Sequence, residues 1–183
     1  MTILLFIIFI WGSISSHVRV ESRSQSEVRV SGRALYKLDI SWPKNPEYFS
    51  GQVFGVAVNH LAGLVYVAQK CASVRSYGHT VKQYSPSGKL LQVLGSPGRA
   101  GSSLSPLQFD QPAEIFVHSS GEIYIVDGDG GLNNRLIKLS RDLQVLWMHG
   151  EKGQGLAQFY IPHSVAVDSY QRVCVRPRPH FCF

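Results

Sequence analysis

The chain has 183 residues, the length of a single domain. It is 44% hydrophobic and 16% charged, with 17 Gly and 9 Pro, a composition that favours strands and turns and argues against long helices. Much of its net charge of +6 sits near the ends, at Arg19, Arg23, Arg29 and Arg33 and at Arg172, Arg176 and Arg178, but these form no dense basic run, which argues against a nucleic-acid-binding tail.

The first element is an apolar run, Ile3-Leu4-Leu5-Phe6-Ile7-Ile8-Phe9-Ile10-Trp11. It is too short to cross a bilayer, which takes about 20 residues of helix. Small residues follow it, Gly12-Ser13-Ile14-Ser15-Ser16. That order reads as a secretory signal peptide over residues 1–16, although only the α-amino group supplies positive charge ahead of the run. The sequence then turns Ser-, Arg- and Glu-rich, and residues 17–32 read as a polar linker. Residues 33–52 follow as an N-terminal strand and loop, the strand carried by the alternation from Arg33 to Ile40. No second long apolar segment follows, so no membrane span is expected in the mature chain.

From residue 53 the chain reads as short strands bounded by Gly, Pro, Ser and Asp. Val53 to Val58, Leu64 to Ala68, Val81 to Tyr84 and Leu90 to Leu94 form a first set of four. Ile115 to Val117, Glu122 to Asp127, Leu136 to Leu139 and Leu143 to Trp147 form a second. A third set begins at Phe159 and ends after Val175.

These sets are one repeated unit. Phe109-Asp110-Gln111-Pro112-Ala113-Glu114-Ile115-Phe116-Val117 matches Phe159-Tyr160-Ile161-Pro162-His163-Ser164-Val165-Ala166-Val167 at an offset of 50, as F-x-x-P-x-x-[IV]-x-V. Val81-Lys82-Gln83-Tyr84 matches Leu136-Ile137-Lys138-Leu139 at an offset of 55. Each of these leads through a polar turn into another apolar strand that ends in Gly95 or Gly150. A four-stranded unit repeating every 40–50 residues or so is the mark of a β-propeller blade. The expected fold is all-β: an incomplete propeller over residues 53–175, of about two and a half four-stranded blades where closed propellers use about four to eight. Neighbouring blades must cover each other's faces. An exposed outer face is therefore expected on the first blade, and exposed blade edges are expected to favour self-association.

Asn134-Arg135-Leu136-Ile137-Lys138-Leu139 resembles the N-R-I-Q-V-F core of the NHL repeat, and Phe159-x-x-Pro162-x-x-Val165-x-Val167-Asp168 resembles its opening. The resemblance runs from about Ala34 to Val175. His163 and Ser164 depart from the usual pattern, which has Gly at the second of these positions. Against the family pattern a blade length of sequence is missing between Gln69 and Gly78, where Lys70-Cys71-Ala72-Ser73-Val74-Arg75 makes the bridge. The first blade is then a hybrid, the front of one blade joined to the back of the next. The repeat is also left at residue 176, and residues 176–183 read as a non-repeat tail whose two prolines cannot continue a central strand. These departures read as a shortened splice form or an incomplete gene model.

More distantly, the same residues resemble the lyase domain of peptidylglycine α-amidating enzymes. That resemblance implies zinc held by His residues of different blades, and His163 matches one ligand-bearing motif. A catalytic zinc takes about three protein ligands. The other two would stand in blades beyond this chain's repeats, and His60, His79, His118 and His149 match no ligand motif. Asp127-Gly128-Asp129-Gly130 suggests calcium, but an EF-hand needs Glu at its twelfth position, where Lys138 stands. The alternative reading is a tight turn into the third strand. No P-loop or nucleophile elbow is present. Cys71, Cys174 and Cys182 are an odd set, whose pairing is open, without C-x-x-C spacing. The expected function is a secreted, non-catalytic NHL-repeat interaction scaffold with an unidentified protein partner. The alternative is a partial metal-dependent lyase using His163.

Overall fold

The structure, a computed structural model, describes residues 27–30, 33–37, 39, 41–49, 52–70 and 77–177. Residues 1–16, Cys71, Cys182 and most of the tail lie outside them. The chain begins with an antiparallel hairpin of β1 (Glu27–Val30) and β2 (Arg33–Lys37). A 3-10 turn over Pro46–Phe49 follows. The first four-stranded sheet is a meander of β3 (Gln52–Asn59), β4 (Leu64–Lys70), β5 (Thr80–Tyr84) and β6 (Leu90–Gly95). The second repeats it with β7 (Pro112–Val117), β8 (Ile123–Asp127), β9 (Arg135–Leu139) and β10 (Val145–His149). Half a unit closes the described chain, β11 (Pro162–Val167) paired with β12 (Val173–Pro177).

The three sheets stack face to face, as blades of a partial β-propeller. Period-2 alternation sends Ile123 and Ile125 of β8 to one side and Tyr124 and Val126 to the other. Both sides are apolar because both are covered. Ile123, Ile125, Ile137 and Leu139 pack with Tyr66, Ala68 and Val81 of the first sheet. Tyr124, Val126 and Leu136 pack with Val165 of the third. Outer strands are less covered, and Leu146, Trp147 and Met148 of β10 are exposed.

One device recurs between blades. The closing strand ends in a glycine at positive φ, and the opening Phe of the next unit lies on it. A Cβ on Gly95 (φ 90) would stand 2.4 Å from the His79 carbonyl oxygen and 2.8 Å from the Phe109 ring. A Cβ on Gly150 (φ 101) would stand 2.4 Å from the Phe159 ring and 3.1 Å from the Asn134 carbonyl oxygen. Only glycine, with no Cβ, tolerates that φ together with so close an approach.

Three expectations need correction. Glu27–Val30, read as linker, is a strand. Its alternation Glu-Val-Arg-Val suits a ladder with β2, and polarity alone does not exclude a strand. The outer face of the first sheet is not bare. Val67, Lys82 and Tyr84 are buried there, with the tilted rings of Trp42 and Phe49 packed against Tyr84 at centroid distances of 5.5 and 5.6 Å. The N-terminal loop takes the place of a neighbouring blade. Finally, β12 runs on to Pro177, opposite Pro162, rather than stopping at Val175. Among the described strands β12 pairs only with β11, and an edge position tolerates proline. The bridge in the first blade does not disturb pairing. Val65, Tyr66, Val67, Ala68 and Gln69 face Tyr84, Gln83, Lys82, Val81 and Thr80 in unbroken register.

Candidate functional site

The first strand of each of the three blades carries a register shift at the same point: between Val53 and Gly55, Pro112 and Glu114, and Pro162 and Ser164. A bulge re-aims the skipped side chain. The residues skipped are Phe54, Ala113 and His163. Gly55 is the close approach between the first two blades, since a Cβ there would meet the Ala113 carbonyl oxygen at 2.7 Å and Glu114 Cα at 2.8 Å.

Asp129, in the loop after β8, joins three blades. Lys70 at the end of β4 donates to its carbonyl oxygen at 2.7 Å and places Nζ 2.5 Å from Oδ2. His163 Nδ1 lies 2.7 Å from the same Oδ2. The Lys70 ammonium also stands 3.9 Å from the centre of the Phe54 ring, a cation–π contact. Burial works against the Asp129 charge, but the Lys70 and His163 hydrogen bonds hold its carboxyl below the usual range. The Asp129 and Lys70 side chains are buried, whereas His163 keeps 31% of its side chain exposed.

Asp127, two residues earlier, is fully buried in a separate clamp. Its Oδ2 accepts from Arg135 Nε at 3.0 Å and Asn133 Nδ2 at 2.8 Å, and its Oδ1 accepts from the Asp110 amide at 2.7 Å. Arg135 also donates to the carbonyl oxygens of Ser102 and Gln108 at 2.6 and 2.7 Å. The clamp therefore fastens the loop between the first and second blades onto β8 and β9. Burial pushes the Asp127 carboxyl up to about 6 against the pull of Arg135, Asn133 and the Asp110 amide, so it is ionised at pH 7.4.

Two further ionisable groups, the half-buried Glu114 and the buried Lys82, escape a reading of the sequence. Glu114 stands in the repeat position held by Gly55 and Ser164, and burial raises its carboxyl to about 7 while the Ile115 amide pulls it down. Lys82 donates to Gln69, the Tyr77 carbonyl oxygen and Thr80 Oγ1, and burial lowers it to about 8. The Glu114 shift has a testable sign. Its folded pKa lies above the unfolded value, so its contribution is fully present below about pH 4.5 and lost as pH rises through 7. Glu114→Gln should match wild type in urea unfolding at pH 4.5 and exceed it at pH 8. A difference that does not grow with pH would refute the shift.

His163 is thus held by a carboxylate. Among the described residues no three His, Cys, Asp or Glu side chains come together in a way that could hold a metal ion. Among the described residues, the position expected from the lyase resemblance brings Asp129 to His163, and a catalytic zinc takes about three protein ligands. Calcium at Asp127 and Asp129 would have to displace Arg135, Lys70 and His163. His118 lies in a turn with its Nδ1 2.8 Å from Ser120 Oγ, and His149 lies against the Phe159 ring. Cys174 is exposed on β12 without a disulfide. No helix among the described residues is long and apolar enough to cross a membrane.

No family model matches the chain. Human NHL repeat-containing protein 3 is 47% identical over 190 residues, covering 80% of this chain and 55% of the relative. The mouse protein of the same name is 46% identical over 188 residues, covering 79% and 54%. The repeats are NHL repeats. The chain spans about half the length of the curated relatives it matches. The 190 aligned positions take up 80% of 183 residues, about 146, which leaves about 44 positions of the human protein unmatched, one blade length. A solved structure, a protein of unknown function from Bacteroides caccae, aligns with a TM-score of 0.47 and 12% identity, over 67% of this chain and 38% of its own.

Proposed function

We propose that this NHL-repeat chain is a secreted, non-catalytic interaction scaffold. The observation that carries the reading is how its ionisable groups are used. Lys70, Asp129 and His163 bind one another, and Asp127 binds Arg135, so the polar residues near the blade ends tie blades together. The loops between strands and blades present apolar side chains to solvent. Leu132 is 77% exposed beside the Asp127 clamp, and Leu156 is fully exposed in the loop after β10. Exposed side chains on loops held by a rigid frame suit protein recognition. The relatives are not named as enzymes, which agrees with this reading. The signal-like run at residues 3–11 supports export, and the uncharged outer strand β10 supports a tendency to self-associate.

The test is expression of the chain with its own N-terminus in a secretory cell line. The scaffold reading expects protease-resistant protein in the medium, lacking residues 1–16. It expects Leu132→Asp with Leu156→Asp to abolish recovery of cross-linked partners while His118→Ala, in an exposed turn, leaves it unchanged. Retention inside the cell would sink the secreted part. Stoichiometric zinc lost on His163→Ala would replace the scaffold with the lyase-like alternative.

A further inference from the structure

We infer that the junction between the first and second blades is a pH-sensitive hinge set by His79, whereas the next junction is not. The two junctions are built alike. Each opens on a residue at positive φ just before the new blade, Gln111 (φ 66) or Ile161 (φ 50). Its amide donates to a side chain at the start of the preceding blade's third strand. Ile161 N donates to Asn134 Oδ1 at 3.0 Å, and Gln111 N donates to His79 Nδ1 at 3.3 Å. His79 and Asn134 are repeat equivalents, both at positive φ (58 and 47) and both with a carbonyl close to the glycine that ends the blade.

The chemistry of the two acceptors differs. An amide oxygen accepts at every pH. An imidazole nitrogen accepts only while it carries no proton. Protonation makes Nδ1 a donor, so the Gln111 hydrogen bond breaks and the ring turns to Asp110, whose Oδ1 already lies 3.6 Å away. Asp110 is the charged group that acts on the ring. The same carboxylate receives the Leu132 amide at 2.8 Å on Oδ2. Acid therefore alters one junction and the loop face beside it. Burial of His79 lowers its pKa below 6.5 and the Asp110 charge raises it in part. The neutral ring is thus the resting form at pH 7.4, and the stability it brings is present above pH 6.5 and lost as pH falls through the folded value.

The test is an NMR titration of the uniformly 15N-labelled chain from pH 8 to pH 4.5. The His79 ring should titrate below 6.5, the Gln111 amide should shift with the same midpoint, and the Ile161 amide should not follow. Protection of the Gln111 amide against exchange, corrected for intrinsic rate, should fall about fivefold across that midpoint. His79→Asn should remove the Gln111 transition, and Asp110→Asn should move the ring midpoint lower still. A ring titrating at or above 6.5, a Gln111 amide that ignores it, or a transition that survives His79→Asn overturns the inference. The wild-type titration decides the matter even where a variant does not fold. Partner binding that is lost in acid would concern the scaffold reading, not the hinge.

Discussion

Arg135→Met should destabilise the fold by about 3–5 kcal/mol, the cost of leaving a buried charge without its partner. Arg135 and Asp127 are 4% and 0% exposed in their side chains. Without the guanidinium, Asp127 keeps only Asn133 and the Asp110 amide, and the carbonyls of Ser102 and Gln108 lose their donor. Equilibrium urea unfolding measures the loss. Adding Asp127→Leu should recover much of it, since a buried ion pair replaced by apolar groups costs far less than one broken in half. A single-variant loss under about 1 kcal/mol would show that the clamp is held mainly by its backbone. Because burial raises the Asp127 carboxyl to about 6 in the folded chain, its contribution to stability is fully present below about pH 3.8 and is lost as pH rises through 6, a dependence that Asp127→Leu should remove.

Phe109→Ala and Phe159→Ala should differ although they change the same position of the repeat. Phe109 is 0% exposed among Ile115, Leu139 and the residues of the first sheet. Its loss should cost about 3–5 kcal/mol, the range for emptying a packed aromatic site. Phe159 is only partly buried, against a sheet with two described strands, so its truncation should cost about half as much. The comparison uses the same unfolding assay on both variants. Equal losses would mean that the third sheet is covered as fully in solution as the second.

The blades themselves were legible. Short alternating strands with Gly, Pro and Asp between them repeat at a constant offset, and the local pattern alone is enough to place a meander. The opening Phe and closing Gly were visible as repeat ends, but not that one rests on the other. The site was less legible. His163 stood out because it breaks the repeat pattern. Its carboxylate partner, Asp129, reads in sequence as part of a turn. Lys70 reads as part of a bridge. These three lie 59 and 34 residues apart, and nothing local marks them as neighbours. His79 passed as one histidine among seven until the third strands could be superposed residue by residue.

By itself, then, the sequence determined what each segment could become: strand or turn, which residues alternate, and where one unit gives way to the next. Such choices follow from local sterics and from the period of a pleated strand. Only the tertiary structure decided which groups are buried and with what. Stacking three sheets brings strand ends from separate blades to Asp129, and folding the N-terminal loop back covers a face that a repeat count leaves open. Burial and ion pairing depend on those distant surfaces, so a charge such as Glu114 or Lys82 acquires its properties only when the neighbouring elements close over it.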